Sequence, residues 1–263
     1  MFKHLPTLQT TLLAPLALIM LVFISVVNAK PLIADKTETP IVVDGIANEA
    51  SWNRATWQPI NNLILGEQPS ADDFSGRFKV LWDEKQIYLQ VEIIDDILFD
   101  QHADPRFLYW DDDCLEIFID EDASGGNHQF NYNAFAYHIA LDNQAVDIGK
   151  PLPDGSTNFV LLNEHVTSKW RRSESSPHKI IWEVSLRVHD DSFTLSTSPN
   201  KINNSSEVAL FAGKKIGFML AYCDNDGSKE REHFISSNDI KAVNGNKNLG
   251  YITADVFQIL TLK

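Results

Sequence analysis

The sequence predicts an all-β protein: an antiparallel β-sandwich of the jelly-roll or immunoglobulin-like kind, with one short helix near its start. Three observations predict it: repeated period-two alternation of apolar residues, turn-rich spacers between the alternating runs, and a near absence of helical periodicity. Phe78, Val80 and Trp82 alternate with Lys79, Leu81 and Asp83, and Ile87, Leu89, Val91 and Ile93 alternate with Tyr88, Gln90 and Glu92. Asp83-Glu84-Lys85 reads as the turn of the hairpin between them. Further strand-like runs are Cys114–Asp120, Gln129–Leu141, Phe159–Asn163, Lys179–Val188, Lys215–Cys223 and Val256–Leu262. In the fourth of these, Ile180, Trp182, Val184, Leu186 and Val188 share one face. Only Asn48–Thr56 resembles a short helix. Pro151–Ser156 is a turn cluster, and residues 191–215, rich in Ser, Asn and Thr, read as a long loop insertion. Trp52, Trp82 and Trp182 sit on apolar faces and are expected in the core.

The N-terminus bears on compartment. Met1–Pro6 carries one basic residue, Lys3, then Leu12–Val27 is almost wholly apolar, and Val27-Asn28-Ala29 offers a small-residue exit. This is the pattern of a secretory signal peptide over 1–29; an uncleaved anchor helix is the alternative. Residues 30–263 then form one domain of 234 residues (263 − 29), a length that a single sandwich can fill. The expected localisation is periplasmic or extracellular, with no membrane association after cleavage.

Removing Lys3 takes the formal charge from −14 to −15, with 21 basic against 36 acidic residues. Phosphate neutralisation needs clustered Lys and Arg, so this balance argues against nucleic acid and anionic membranes as partners. Neutral glycans and divalent cations fit it. The two cysteines, Cys114 and Cys223, each lie inside an apolar run. Buried free thiols and a single disulfide both stay open.

Four ordered blocks resemble the family 9 carbohydrate-binding modules. They are Ile41–Gly45 with Asn48–Trp52; Val80–Asp83 with Ile87–Leu89 and Asp95-Asp96; Trp110–Asp120; and Trp182–Leu186 with Ile216–Phe218, Asp224–Asp226 and a closing Tyr251–Leu262 strand. The third block is the most specific, and together the four span nearly all of residues 30–263. The resemblance implies a non-catalytic, DOMON-like sugar-binding sandwich with a mono- or oligosaccharide ligand, often partnered with glycoside hydrolases and often holding structural calcium. It implies Trp110 as the first aromatic plate, Tyr251 as the second, and Asp113 and Glu116 as polar partners of the sugar. The family arginine that contacts sugar aligns with Asn131. A calcium ligand is implied at Asp95, with Asp96 beside it. No organic cofactor is expected.

The residues themselves suit a sugar. A pyranose has flat C–H faces and a rim of hydroxyls, so an aromatic plate buries the face while carboxylates and amides satisfy the rim. In Leu115–Ile119, alternation sends Leu115, Ile117 and Ile119 to one side and Glu116 to the other. Asp113 has a second reading, as a cap on the turn into the strand. The acidic runs at 95–96, 111–113, 120–122 and 224–226 are either solvated surface or cation ligands; none is an EF-hand loop. Two other classes compete. Asp113 with Glu116 would have to serve as the carboxylate pair of a glycoside hydrolase. A haem-binding electron-transfer domain would have to ligate through Met219, which also reads as core filler.

Overall fold

The computed structural model describes residues 31–195 and 204–263. The predicted signal segment and the middle of the 191–215 insertion lie outside the described residues. Among the described residues no helix is long and apolar enough to cross a membrane.

Among the described residues, fourteen strands run in chain order: β1 (Leu32–Lys36), β2 (Gln58–Ile60), β3 (Asn62–Leu65), β4 (Phe74–Trp82), β5 (Gln86–Asp95), β6 (Cys114–Asp120), β7 (Phe135–Ala140), β8 (Ala145–Gly149), β9 (Asn158–Leu161), β10 (Val166–Arg172), β11 (Lys179–Arg187), β12 (Lys215–Asp224), β13 (His233–Ser236) and β14 (Gln258–Leu262). The lateral order is β10-β11-β5-β4-β1-β14-β12-β6-β7-β8-β9. This path curls into two facing layers with β1 as the seam. Leu32–Ala34 pair in parallel with β14, and Asp35 and Lys36 pair in parallel with β4. The architecture is the β-sandwich that the alternation predicts.

The hairpin β4–β5 forms where expected, because Asp83 takes the backbone N–H groups of Lys85 (2.8 Å) and Gln86 (2.9 Å) on one oxygen and the Tyr88 hydroxyl (2.8 Å) on the other. Phe78, Val80, Trp82, Leu89, Val91, Trp182 and Val184 from the first layer meet Leu115, Ile117, Tyr137, Phe218 and Leu220 from the second. Trp82 and Trp182 are core as expected, while Trp52 closes a smaller cluster with Ile41, Leu81 and Tyr88. The Trp82 indole donates to the carbonyls of Ala34 and Lys263 (3.1 Å each), which ties the seam down.

Two expectations change. The helix expected over Asn48–Thr56 is a single 3-10 turn, Ala50–Asn53, held by i→i−3 bonds from Trp52 to Glu49 and from Arg54 to Ser51 (3.1 Å each). The strand expected from Gln129 begins only at Phe135. Asn131 Oδ1 accepts the Asn133 N–H (2.8 Å), and Asn133 Nδ2 donates to the Gly125 carbonyl (2.7 Å), so local side-chain bonds displace the ladder. Cys114 and Cys223 face each other across β6 and β12 as buried free thiols.

The outer face of the second layer positions the site. Cys114, Phe118, Met219, Ala221, Cys223 and Phe234 are roofed there by Ile240, Leu249, Val256 and Phe257 from the segment before β14. Met219 is fully buried in this roof as filler. The roof stops short of Glu116 and His138, leaving a hollow.

Candidate functional site

The floor of the hollow is laid by β6 and β7. Glu116 stands directly opposite His138 in the antiparallel register, so the two side chains share the outer face. Glu116 Oε1 lies 3.6 Å from His138 Nδ1 and 3.8 Å from Arg231 Nη1. Arg231 is held over the Phe234 ring (4.3 Å) and donates to Cys223 Sγ (3.0 Å). Burial pushes the His138 imidazole below its usual range, with Glu116 pulling the other way. Asp147 on β8 also reaches the hollow, but its oxygens take the N–H groups of Ile148 (2.7 Å) and Ala136 (3.1 Å), and burial pushes its carboxyl up to about 8.

The walls are aromatic. Tyr109 and Trp110 sit on a 3-10 turn, Tyr109–Asp111, entered through Leu108 in the left-handed region (φ 47°). Tyr109 is buried, with its ring 4.3 Å from His138 and edge-on to Phe159 at 5.3 Å. Trp110 is half-buried and rests edge-on against Tyr109 (5.0 Å). Phe130, Asn248 and Tyr251 complete the rim of a cavity of about 370 Å³. That lies within the range of small-ligand pockets, ~300–1,000 Å³.

Three consecutive aspartates moor the Trp110 turn. Asp111 Oδ1 accepts the Arg231 N–H (3.2 Å) and its carbonyl accepts Asn225 Nδ2 (2.6 Å). Asp112 takes the N–H groups of Gln101 (3.0 Å) and His102 (3.1 Å). Asp113 takes those of Phe99 (2.6 Å) and Asn225 (2.8 Å). All three are buried, so this run is neither solvated surface nor a free ligand set.

Of the residues expected to hold sugar, the structure brings Trp110, Glu116 and Tyr251 together around one hollow. Asp113 is elsewhere: it shares the inward parity of Leu115 and Ile117, and burial beside Asp95 pushes its carboxyl up to about 9. Asn131 is spent on its own turn, with Nδ2 on the Asn127 carbonyl (3.3 Å). The arginine at the floor is Arg231. Sequence reasoning missed Arg231, His138, Phe159 and Asn248. His138 was within reach, because pairing 129–141 with 114–120 puts a β7 residue opposite Glu116.

A second constellation lies away from the hollow. Asp95, Asp224 and Asp226 bring carboxylate oxygens within 4.8 Å of one another, and Asp73, Asp96 and Asp226 form an overlapping set. Asp95 and Asp224 are buried, and one oxygen each of Asp73, Asp95, Asp224 and Asp226 has no hydrogen-bond partner. Burial pushes Asp95 up to about 7 and Asp224 up to about 8. Converging oxygens with no donor suit a hard cation.

Comparison with known proteins bears on the fold and the family. The family model described as "Carbohydrate family 9 binding domain-like" matches residues 43–263. A family 9 carbohydrate-binding module from Caldicellulosiruptor kristjanssonii, solved in complex with cellotriose, aligns with TM-score 0.59 at 18% identity, covering 89% of this chain and 94% of that one. A putative carbohydrate-binding protein from Bacteroides uniformis aligns with TM-score 0.55 at 13% identity, covering 89% and 99%. At such identities the likeness speaks for the fold alone. Endo-1,4-beta-xylanase A of Thermotoga neapolitana is 30% identical over 163 residues, and that of Thermotoga maritima 32% over 97. The matched regions span only 14% and 8% of those enzymes. With most of its length matched by the family model, this chain belongs to the family 9 carbohydrate-binding domain-like proteins.

Proposed function

We propose that this chain is an exported, non-catalytic protein that docks a mono- or oligosaccharide in the hollow beneath Trp110. The observation that carries the reading is the half-exposed indole standing beside Glu116 and Arg231 at the mouth of a 370 Å³ cavity. The indole covers a C–H face, Tyr251 stands as the second plate, and Glu116, Arg231 and Asn248 answer the hydroxyls. Arg231 donates where the expected Asn131 is committed to its own turn. Two of the solved neighbours are in complex with cellotriose and with glucose, which makes gluco-configured sugars the first ligands to try. The xylanase relatives make association with glycoside hydrolases part of the proposal. A glycosidase reading asks for Asp113 beside Glu116; Asp113 is spent on two backbone N–H groups on the inner side. Export rests on the Leu12–Val27 pattern.

The test is calorimetric titration of glucose and cellotriose into wild type and Trp110→Ala. Full burial of an aromatic side chain sets the expected loss at roughly 1–3 kcal/mol. Unchanged affinity in the variant moves the site elsewhere.

The same proposal includes a structural calcium held by Asp95, Asp224 and Asp226, with Asp96 and Asp73 alongside. Its support is the set of orphaned carboxylate oxygens that converge there.

A further inference from the structure

Beneath the hollow, Glu116 stands in a group of three donors, two of which, Cys114 and His138, sugar binding does not use. Cys114 and Glu116 are i and i+2 on β6, so alternation puts both on the outer face, and His138 faces Glu116 from β7. One donor atom from each lies within 4.8 Å of the other two. The three residues are 0%, 9% and 2% exposed. Neither ring nitrogen of His138 has a hydrogen-bond partner. The Glu116 oxygen at 3.6 Å from Nδ1 is beyond hydrogen-bond reach. A buried imidazole left unsatisfied on both nitrogens is costly, and a metal ion is one partner that would satisfy it.

We propose that Cys114 Sγ, the Glu116 carboxylate and a His138 ring nitrogen form a site for a thiophilic divalent cation of the zinc class. Thiolate, imidazole and carboxylate together select zinc over calcium or magnesium, which take oxygen ligands. Three protein ligands on two paired strands form a rigid tripod, and the fourth tetrahedral position opens toward the hollow for water. Binding deprotonates the Cys114 thiol and sends that proton to solvent; zinc with one thiolate and one carboxylate is then neutral, as burial favours. Arg231 Nη1 lies 3.8 Å from Glu116 Oε1, and its guanidinium is anchored by Cys223 Sγ (3.0 Å) and the Phe234 ring (4.3 Å). The site differs in position and donor type from the Asp95–Asp224–Asp226 cluster. It does not rest on the sugar reading.

The probe is cobalt(II), titrated into the reduced, chelator-stripped full chain, with zinc as competitor. The expected result is a sulfur-to-cobalt charge-transfer absorption that saturates at one equivalent, is abolished by zinc and is unmoved by calcium. Cys114→Ser abolishes the band, and His138→Gln weakens cobalt binding roughly tenfold or more. Zinc-edge absorption spectroscopy of the wild-type complex needs no variant, and should show a sulfur neighbour at ~2.3 Å with lighter neighbours near 2.0–2.2 Å. Cobalt bound through oxygen alone, a band that survives Cys114→Ser, or a Cys114–Cys223 disulfide in the protein as isolated each overturns the proposal.

Discussion

Strand alternation sends successive side chains to opposite faces of a sheet, and residues 113–119 show its consequences one at a time. Asp113, Leu115, Ile117 and Ile119 point inward, while Cys114, Glu116 and Phe118 point outward. Asp113 therefore fastens the Phe99 and Asn225 backbones, and Glu116 faces the hollow. Removing an acceptor that serves two buried N–H groups costs about 1–3 kcal/mol. Asp113→Ala should thus lower the melting temperature and leave the sugar affinity of the folded fraction within about twofold. Glu116→Gln keeps the shape of the side chain, so it should weaken sugar binding by about 1 kcal/mol or more while moving the melting temperature little. Paired thermal melts and titrations of the two variants check this; a large affinity loss in Asp113→Ala alone would reverse the assignment. The parity that separates the two residues is present in the sequence. Arg231 and Asn248 were not legible there, because each sits on a turn whose position depends on pairings between distant strands.

At the scale of elements, the strong alternators β4, β5, β6, β11 and β12 were legible in the sequence because each buries an unbroken aliphatic or aromatic face. Strand β10 was not: Val166, Ser168 and Trp170 alternate with Thr167, Lys169 and Arg171, and an outermost strand with a serine on its inner face carries little apolar signal. The ends of β9, β10 and β11 hold a stacked imidazole pair, His165 and His189, with ring centroids 3.8 Å apart. His165 Nδ1 meets the Tyr137 hydroxyl (2.8 Å) and His189 Nδ1 meets Ser206 (3.0 Å). Burial lowers His165 to about 3, helped by His189 and Arg187. Burial also lowers His189 to about 4, with Arg187 lowering it further and Asp190 opposing. Both rings stay neutral in the folded state while the unfolded chain binds protons below about 6.5. The stability they contribute is present above that pH and is lost as pH falls toward 4. Two protons of linkage set a limiting slope of ~2.7 kcal/mol per pH unit. The double variant His165→Gln, His189→Gln should lose stability less steeply than wild type in denaturant titrations between pH 6.5 and 4, and identical slopes would count against the pair as the acid-sensitive element.

Across the whole molecule, strand β1 joins the hydrogen-bonded path of the two layers. Strand β1 pairs with β14 in one layer and with β4 in the other, and the Trp82 indole locks that seam. Such a seam is invisible to alternation, since β1 is only five residues long and both its partners are remote in sequence. The Asp95–Asp224–Asp226 cluster supplies a second tie. Asp95 ends β5 in the first layer, and Asp73 immediately precedes β4; Asp224 ends β12 in the second layer. The Tyr222 hydroxyl already reaches across from β12 to Asp95 Oδ2 (2.7 Å). Without a cation, burial keeps Asp95 and Asp224 from ionising, and the neighbouring carboxylates add repulsion. In the proposed calcium site, an ion would offset that cost with shared coordination, and would bind the folded state but not the separated layers. Mass action then stabilises the fold by RT ln(1 + [L]/Kd), about 2.7 kcal/mol when calcium is 100 times its Kd. The melting temperature of chelator-treated protein should therefore rise on adding millimolar calcium, and Asp224→Asn should remove most of that rise. The asparagine keeps the size of the side chain and removes a carboxyl that burial penalises when it ionises, so the metal-free variant should melt no lower than metal-free wild type. A wild-type melting curve indifferent to calcium would overturn the calcium tie.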